Sequence, residues 1–294
     1  MSFNHGFDYC EVLGARARGL TVLGYLTTFY LHSPEQVWRE RIGLGEVRVD
    51  DEVAGPELRL RPGQALSWRR PPWEEPAVPR HFEVIFEDPD LLAVSKPSGL
   101  PCSPAGGFLE NTLQWLVQQQ DREWAPMHRL GRGTSGLVLF ARTPEARTRV
   151  QADWRAHRVE KIYRALATGQ LPAEPFVIET PIGFVDHPLL GRVHAACPSG
   201  RASRSEVRLV GPRGQASLAE VHIVTGRPHQ IRIHLAACGH ALVGDPLYGP
   251  GGLPLSEALP GDLGYFLHAW RLRLSHPRTG GPLELEAPLP SALE

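Results

Sequence analysis

The chain has 294 residues, with 31 Lys+Arg against 32 Asp+Glu and a formal net charge of -1. Hydrophobic residues make up 42% and charged residues 21%, a globular balance that excludes wholesale disorder and a binder whose entire surface is basic. Cys10, Cys102, Cys197 and Cys238 form no C-x-x-C pair, which argues against a disulfide scaffold or a thiolate zinc site and for a reducing, cytoplasmic setting. The N-terminus lacks a basic-then-apolar signal pattern. The longest apolar run, Leu20 to Leu31, is broken by threonines and falls short of the ~20 residues of a membrane span, so no membrane partner is expected.

In chain order, Ser33 to Arg41 reads as a short helix, with Ser33 as cap and Pro34 at the first helical position. Residues 46–50 and 58–61 alternate like strands, the second ending at the turn Pro62-Gly63. These elements make a small α+β domain over 1–70. Residues 71–80 hold four prolines and read as a stiff linker. Beyond it, 82–86 and 91–94 are strands joined by a turn, and Asn111 caps a helix through Gln120. Strands follow at 137–140, 162–166 and 219–225. Helices are expected over Pro144 to Arg158 and from Pro228 to the stop at Gly239. Strands with interspersed helices predict a mixed α+β domain over 81–294.

Every basic residue except Lys96 and Lys161 is an arginine, the side chain suited to gripping phosphate with two bonds at once. Between His128 and Arg164 nine basic residues stand against three acids. A polyanion docking on one face is compatible with that concentration; so is a solvated helix face. Gly131 to Gly136 spells G-x-G-x-x-G, the dinucleotide fingerprint, but the strand follows the glycines instead of preceding them. His229, His234, Cys238 and His240 match no zinc template, and no metal is expected.

The stretch His128-Arg129-Leu130-Gly131-Arg132-Gly133-Thr134-Ser135-Gly136 resembles the signature of the RluA-type pseudouridine synthases, His-Arg-Leu-Asp, two variable residues, Thr-Ser-Gly and an apolar strand. Further stretches are similar to that family's motifs, in the same order. They are Leu92 to Pro101, Lys161 to Ala165, Thr225 to Leu235, Gly239-His240 with Val243 to Gly249, and Leu267 to Ala269 with His276-Pro277. The likeness covers about 81–280, and residues 20–70 more faintly resemble the small RNA-binding domain often appended to such enzymes.

The resemblance implies a mixed, largely antiparallel sheet with flanking helices, and isomerisation of uridine to pseudouridine in a structured RNA, ribosomal or transfer. It implies no cofactor. The target uridine is expected to flip into a cleft. By the same resemblance Tyr163 stacks on the extruded base and Arg232 is the salt-bridging arginine. His128, Arg129, Arg132, Thr134, Arg155, Arg227, His229 and Gln230 are the expected RNA contacts. One position departs from the signature, since its catalytic aspartate falls where this chain has Gly131. A glycine side chain is neither nucleophile nor base, so two readings stand: an isomerase, or an RNA-binding relative that lost the nucleophile. Arg232 then lacks its expected partner, for which Asp153, Glu160, Asp186 and Asp245 compete, and Gly131 is a place where positive φ is allowed.

Overall fold

The computed structural model describes residues 3–258 and 263–294. Two compact units divide at Glu75/Pro76. In the first, β1 (Phe7–Val12) precedes α1 (Val22–Phe29), α2 (Glu35–Gly43), β2 (Val47–Val49), β3 (Glu52–Val53) and β4 (Ala65–Arg70). The sheet order is β1-β4-β2-β3, all antiparallel. Its core joins Tyr25 and Leu26 of α1, Trp38 of α2, and Leu66 and Trp68 of β4.

Two expectations for this unit need correction. Residues 58–61 are not a strand, because only Arg59 bridges to Thr21. The strand is β4, which pairs on both sides and turns Leu66 and Trp68 inward. The helix near Ser33 is capped by Pro34 with no side-chain bond, and Ser33 Oγ instead accepts from Arg41 at 2.8 Å. The apolar run from Leu20 holds α1, whose Thr21 cap accepts from Gly24 N–H at 3.1 Å.

Within residues 71–80, Glu75, buried in the first unit, accepts from Asn4 Nδ2 at 2.7 Å, and Val78 packs on the core of the second.

The second unit runs β5 (Glu83–Glu87), β6 (Leu91–Lys96), α3 (Leu113–Gln118), β7 (Ala125–Pro126), β8 (Ser135–Ala141), α4 (Pro144–Arg155) and β9 (Glu160–Thr168). There follow β10 (Phe176–Ile178), β11 (Ile182–His187), β12 (Gly191–Ala196), β13 (Ser205–Arg213), β14 (Ala216–Ile223), α5 (Gln230–Ala237), β15 (Leu267–Ser275) and β16 (Pro282–Glu286). One sheet orders β10-β13-β14-β9-β15-β8-β6-β5, with β16 beside β15 and β7 beside β8. Only the β15–β8 pair is parallel among the described strands. β11 and β12 form a separate hairpin. This is the mixed, largely antiparallel α+β sheet that the motifs imply.

Both faces of the sheet centre are covered. Leu92, Val94, Val138 and Phe140 point to the side of α3 and α5, whereas Leu91, Ala93, Leu137 and Leu139 point to Ala146 and Val150 of α4. A strand buried on both faces has no polar alternation, which is why β6 and β8 read as continuous apolar runs. α3 is capped by Thr112, which accepts from Trp115 N–H at 3.2 Å; Asn111, the expected cap, donates to Pro76 O at 2.9 Å instead.

Two glycines of the signature have opposite jobs. Gly136 has φ +104° in β8, and a Cβ there would collide with the Ala269 backbone of β15. Gly131 does not use the positive φ open to glycine, and a Cβ there would lie 3.2 Å from Tyr265 Oη and 3.5 Å from Thr134 Oγ1. Gly136→Ala should therefore cost about 3 kcal/mol or more in chemical denaturation, through backbone strain and a broken β8–β15 pairing. Gly131→Ala should stay within about 1 kcal/mol of the parent, since it displaces only side-chain hydroxyls.

Candidate active site

The cleft forms where chain segments leave the sheet. The loop after β6 and the loop before β8 are laced together. Gly99 N–H donates to Arg132 O at 2.8 Å, Arg132 Nε to Gly99 O at 3.0 Å, and Ser98 Oγ to Gly133 O at 2.8 Å. Beneath them the Lys96 ammonium, 1% exposed, donates to the carbonyls of Pro97, Leu100 and Arg132. Burial pushes its pKa down to about 8, with the Arg132 charge acting the same way and Cys102 opposing. Cys102 Sγ accepts from Leu130 N–H at 3.1 Å. The backbone around Gly131 is thus held from two sides.

The opposite wall is the turn into α5. His229 at the helix start takes a left-handed conformation (φ 56°), and its ring bonds Tyr248 Oη at 2.8 Å. The Gln230 amide holds the turn shut. Its oxygen accepts from Thr225 Oγ1 and Arg227 N–H, and its nitrogen donates to Arg204 O and Ser205 Oγ. Gln230 is therefore a brace, with its hydrogen-bonding capacity spent inside the protein.

Between these walls lies a hollow of about 410 Å³. It brings together nine of the expected residues: Arg129, Gly131, Arg132, Thr134, Tyr163, Arg227, His229, Gln230 and Arg232. Tyr163 projects from β9, and burial raises its pKa so that the phenol stays protonated at neutral pH. No Asp or Glu is among the described residues that line the hollow.

Arg232 is buried, with 2% side-chain exposure, and of the four candidate carboxylates it is Asp245 that meets it. Its Nε donates to Asp245 Oδ2 at 2.8 Å and its Nη2 to Asp245 Oδ1 at 2.7 Å. Asp245 Oδ1 also accepts from the N–H groups of Leu247 and Tyr248. The guanidinium lies against two rings, 4.2 Å from the Tyr265 centroid and 4.9 Å from that of Tyr248. Sequence reading missed Tyr265, whose hydroxyl bonds Thr134 Oγ1 at 3.0 Å. It stands 131 residues from Thr134, and no local pattern announces it.

Two expected RNA contacts lie elsewhere. His128 stacks on Trp154 at 4.8 Å and its Nε2 accepts from Leu139 N–H at 3.0 Å. Desolvation, with Lys161 nearby, pushes its pKa down to about 3, so it is a neutral structural group. Arg155 sits at the exposed end of α4 and bonds Gln151 O. The basic stretch does not form one face, since Arg142, Arg147, Arg158 and Arg164 are paired with Asp121, Glu123, Asp153 and Glu220. The four residues of the weighed zinc set also go separate ways. His229 meets Tyr248, His234 meets Ser203 and Ser205, His240 meets Thr168 O, and Cys238 is exposed.

Removing one member of a buried, hydrogen-bonded ion pair leaves the other uncompensated. Asp245→Asn should therefore lower unfolding stability by about 3–5 kcal/mol in denaturant titration. Asp153→Asn, on an exposed pair, should change it by less than about 1 kcal/mol.

The family model for RNA pseudouridylate synthase matches residues 90–237. An uncharacterised RNA pseudouridine synthase of Synechocystis sp. is 42% identical over 92% of this chain and 95% of its own length. The ribosomal large subunit pseudouridine synthase D of Neisseria meningitidis is 33% identical over 95% of this chain and 77% of its own. Among solved structures, human RNA pseudouridylate synthase domain containing 1 superposes with a TM-score of 0.58 at 23% identity, over 75% of this chain and 89% of that one, a likeness of fold. The sheet, the cleft at the ends of its central strands and the match from β6 to α5 agree, and the chain belongs to the RNA pseudouridylate synthase family.

Proposed function

We propose that this chain is an enzyme that isomerises uridine to pseudouridine in a structured RNA, with the target nucleotide flipped into the cleft between the Gly131 loop and α5. The observation that carries the reading is the convergence of the spaced motifs, with Tyr163, Arg129, Arg132 and Arg227, on one hollow of about 410 Å³. That size suits a single extruded nucleotide. The arginines supply phosphate contacts at its rim, and Tyr163 supplies a ring for stacking. Family membership supports the reaction, and the relative named for the large ribosomal subunit supports ribosomal RNA as the first substrate to try.

We place the signature's aspartate position at Gly131, on the flanking His128-Arg129-Leu130 and Thr134-Ser135-Gly136. A carboxylate restored there would not find Arg232 free, because Asp245 already holds it. The cytoplasmic setting is part of the same reading, supported by four free cysteines. No helix among the described residues is long and apolar enough to cross a membrane.

The test is mass-spectrometric pseudouridine mapping of RNA treated with purified protein. New pseudouridine at defined sites is the expected result; RNA binding with none formed would leave a binding relative in place of an isomerase. Affinity tests the cleft separately. Arg129→Ala with Arg227→Ala should weaken RNA binding about tenfold and flatten the log–log salt slope by about 1–2, as lost phosphate contacts require. Arg155→Ala, away from the hollow, should change neither.

A further inference from the structure

The cleft holds a hydroxyl pair where a side chain at position 131 would project. Tyr265 Oη and Thr134 Oγ1 are 3.0 Å apart, and both lie within 3.5 Å of the point a Gly131 Cβ would occupy. Three features fix the tyrosine there. Its ring lies 4.2 Å from the Arg232 guanidinium, itself anchored by Asp245. Its backbone is set by an approach that only glycine permits: Gly244 (φ +76°) and Gly264 (φ +109°) lie so close that a Cβ on Gly244 would collide with Gly264 O. Tyr265 is also 5% exposed, so its position is determined by packing.

We propose that Tyr265 is a catalytic residue of this cleft, whose hydroxyl, coupled to Thr134, fills the place left by Gly131 and carries the proton transfer of the isomerisation. The inference rests on the isomerase reading above. Once the detached base has joined the ribose through C5, the C5 proton must leave and N1 must gain one. The C5–H pair rebuilds the C5=C6 bond, and the N1=C6 pair returns to N1. Tyr265 Oη takes the C5 proton while its own passes by way of Thr134 Oγ1 to N1, so the hydroxyls end as they began and no other reactant is consumed. The Arg232 charge against the ring favours negative charge gathering on Oη during the exchange. Tyr163 lines the same hollow from β9 but has neither the hydroxyl partner nor a guanidinium against its ring among the described residues.

The experiment compares full-length wild type, Tyr265→Phe, Thr134→Val, Gly131→Asp and Gly131→Asp/Tyr265→Phe on an RNA the wild type modifies. Tyr265→Phe keeps the ring on Arg232 and removes only Oη. The expected result is a fall in kcat of about 100-fold or more with KM, RNA affinity and melting temperature nearly unchanged. On RNA deuterated at C5 of uridine, the same variant should show a larger isotope effect than wild type, because the proton step becomes limiting. Gly131→Asp should recover more rate in the Tyr265→Phe background, where the space is open, than it adds to the wild type, where Oη crowds it. A Tyr265→Phe enzyme within twofold of wild type, with an unchanged isotope effect, overturns the proposal and leaves the isomerase reading standing. If Tyr265→Phe melts early, Thr134→Val decides in its place: slowed turnover with a raised isotope effect supports the relay, and unchanged turnover overturns it. A wild type that forms no pseudouridine on any RNA removes the isomerase reading and the proposal with it.

Discussion

The buried ion pair of Arg232 and Asp245 is the constraint on which the cleft depends. A guanidinium at 2% exposure and a carboxylate at 1% both forgo hydration, and the loss is tolerable only because every contact is well made. Two parallel N–H···O bonds join them, two backbone N–H groups complete the carboxylate, and tyrosine rings flank the guanidinium. These contacts bind α5, the turn after Gly244 and the segment before β15 into one piece. The wall of the cleft can then be no looser than the pair itself.

The other wall obeys a related rule. Lys96 is a buried cation with no carboxylate partner among the described residues, and three carbonyls from two loops accept hydrogen bonds from it. Burial lowers its pKa to about 8, so a depressed value marks a structural clamp here as readily as it marks a functional group elsewhere. Since the unfolded chain holds the Lys96 proton up to about 10.4, this group favours the folded state increasingly as pH rises above 8. His128 is depressed as well, and its contribution is lost as pH falls from about 6.5 towards its folded value of about 3. Both groups sit beside the signature loop, which makes the loop a rigid support for its rim arginines.

Positions 131 and 136 show how differently two glycines of one motif are surrounded. At Gly131 the backbone is ordinary, and Tyr265 Oη from a distant strand lead-in and Thr134 Oγ1 stand within 3.5 Å of where a Cβ would lie. Gly136, five residues on, is glycine for a wholly different reason, because the Ala269 backbone leaves no space for a side chain. Identical residues in one short motif thus face movable side-chain hydroxyls in one case and an immovable backbone in the other. Only the surroundings tell them apart.

Much of this protein was legible without coordinates. The apolar runs of β6 and β8, the Pro144 start of α4, and the Gly239 stop after α5 are local signals, and local signals survive in a sequence. Spaced motifs carried the family and the residues that meet in the hollow. Strand β4 was missed and 58–61 taken instead because alternation is read equally well from segments that pair and segments that do not. The charge sum over 128–164 misled because the opposing acids Asp121 and Glu220 lie outside that window. The partner of Arg232 and the presence of Tyr265 had the same cause: each depends on residues brought together from separate turns and strands. Residue type and spacing therefore determined what chemistry the chain carries, while tertiary packing alone decided which charge meets which, since burial and distance are properties of the folded chain.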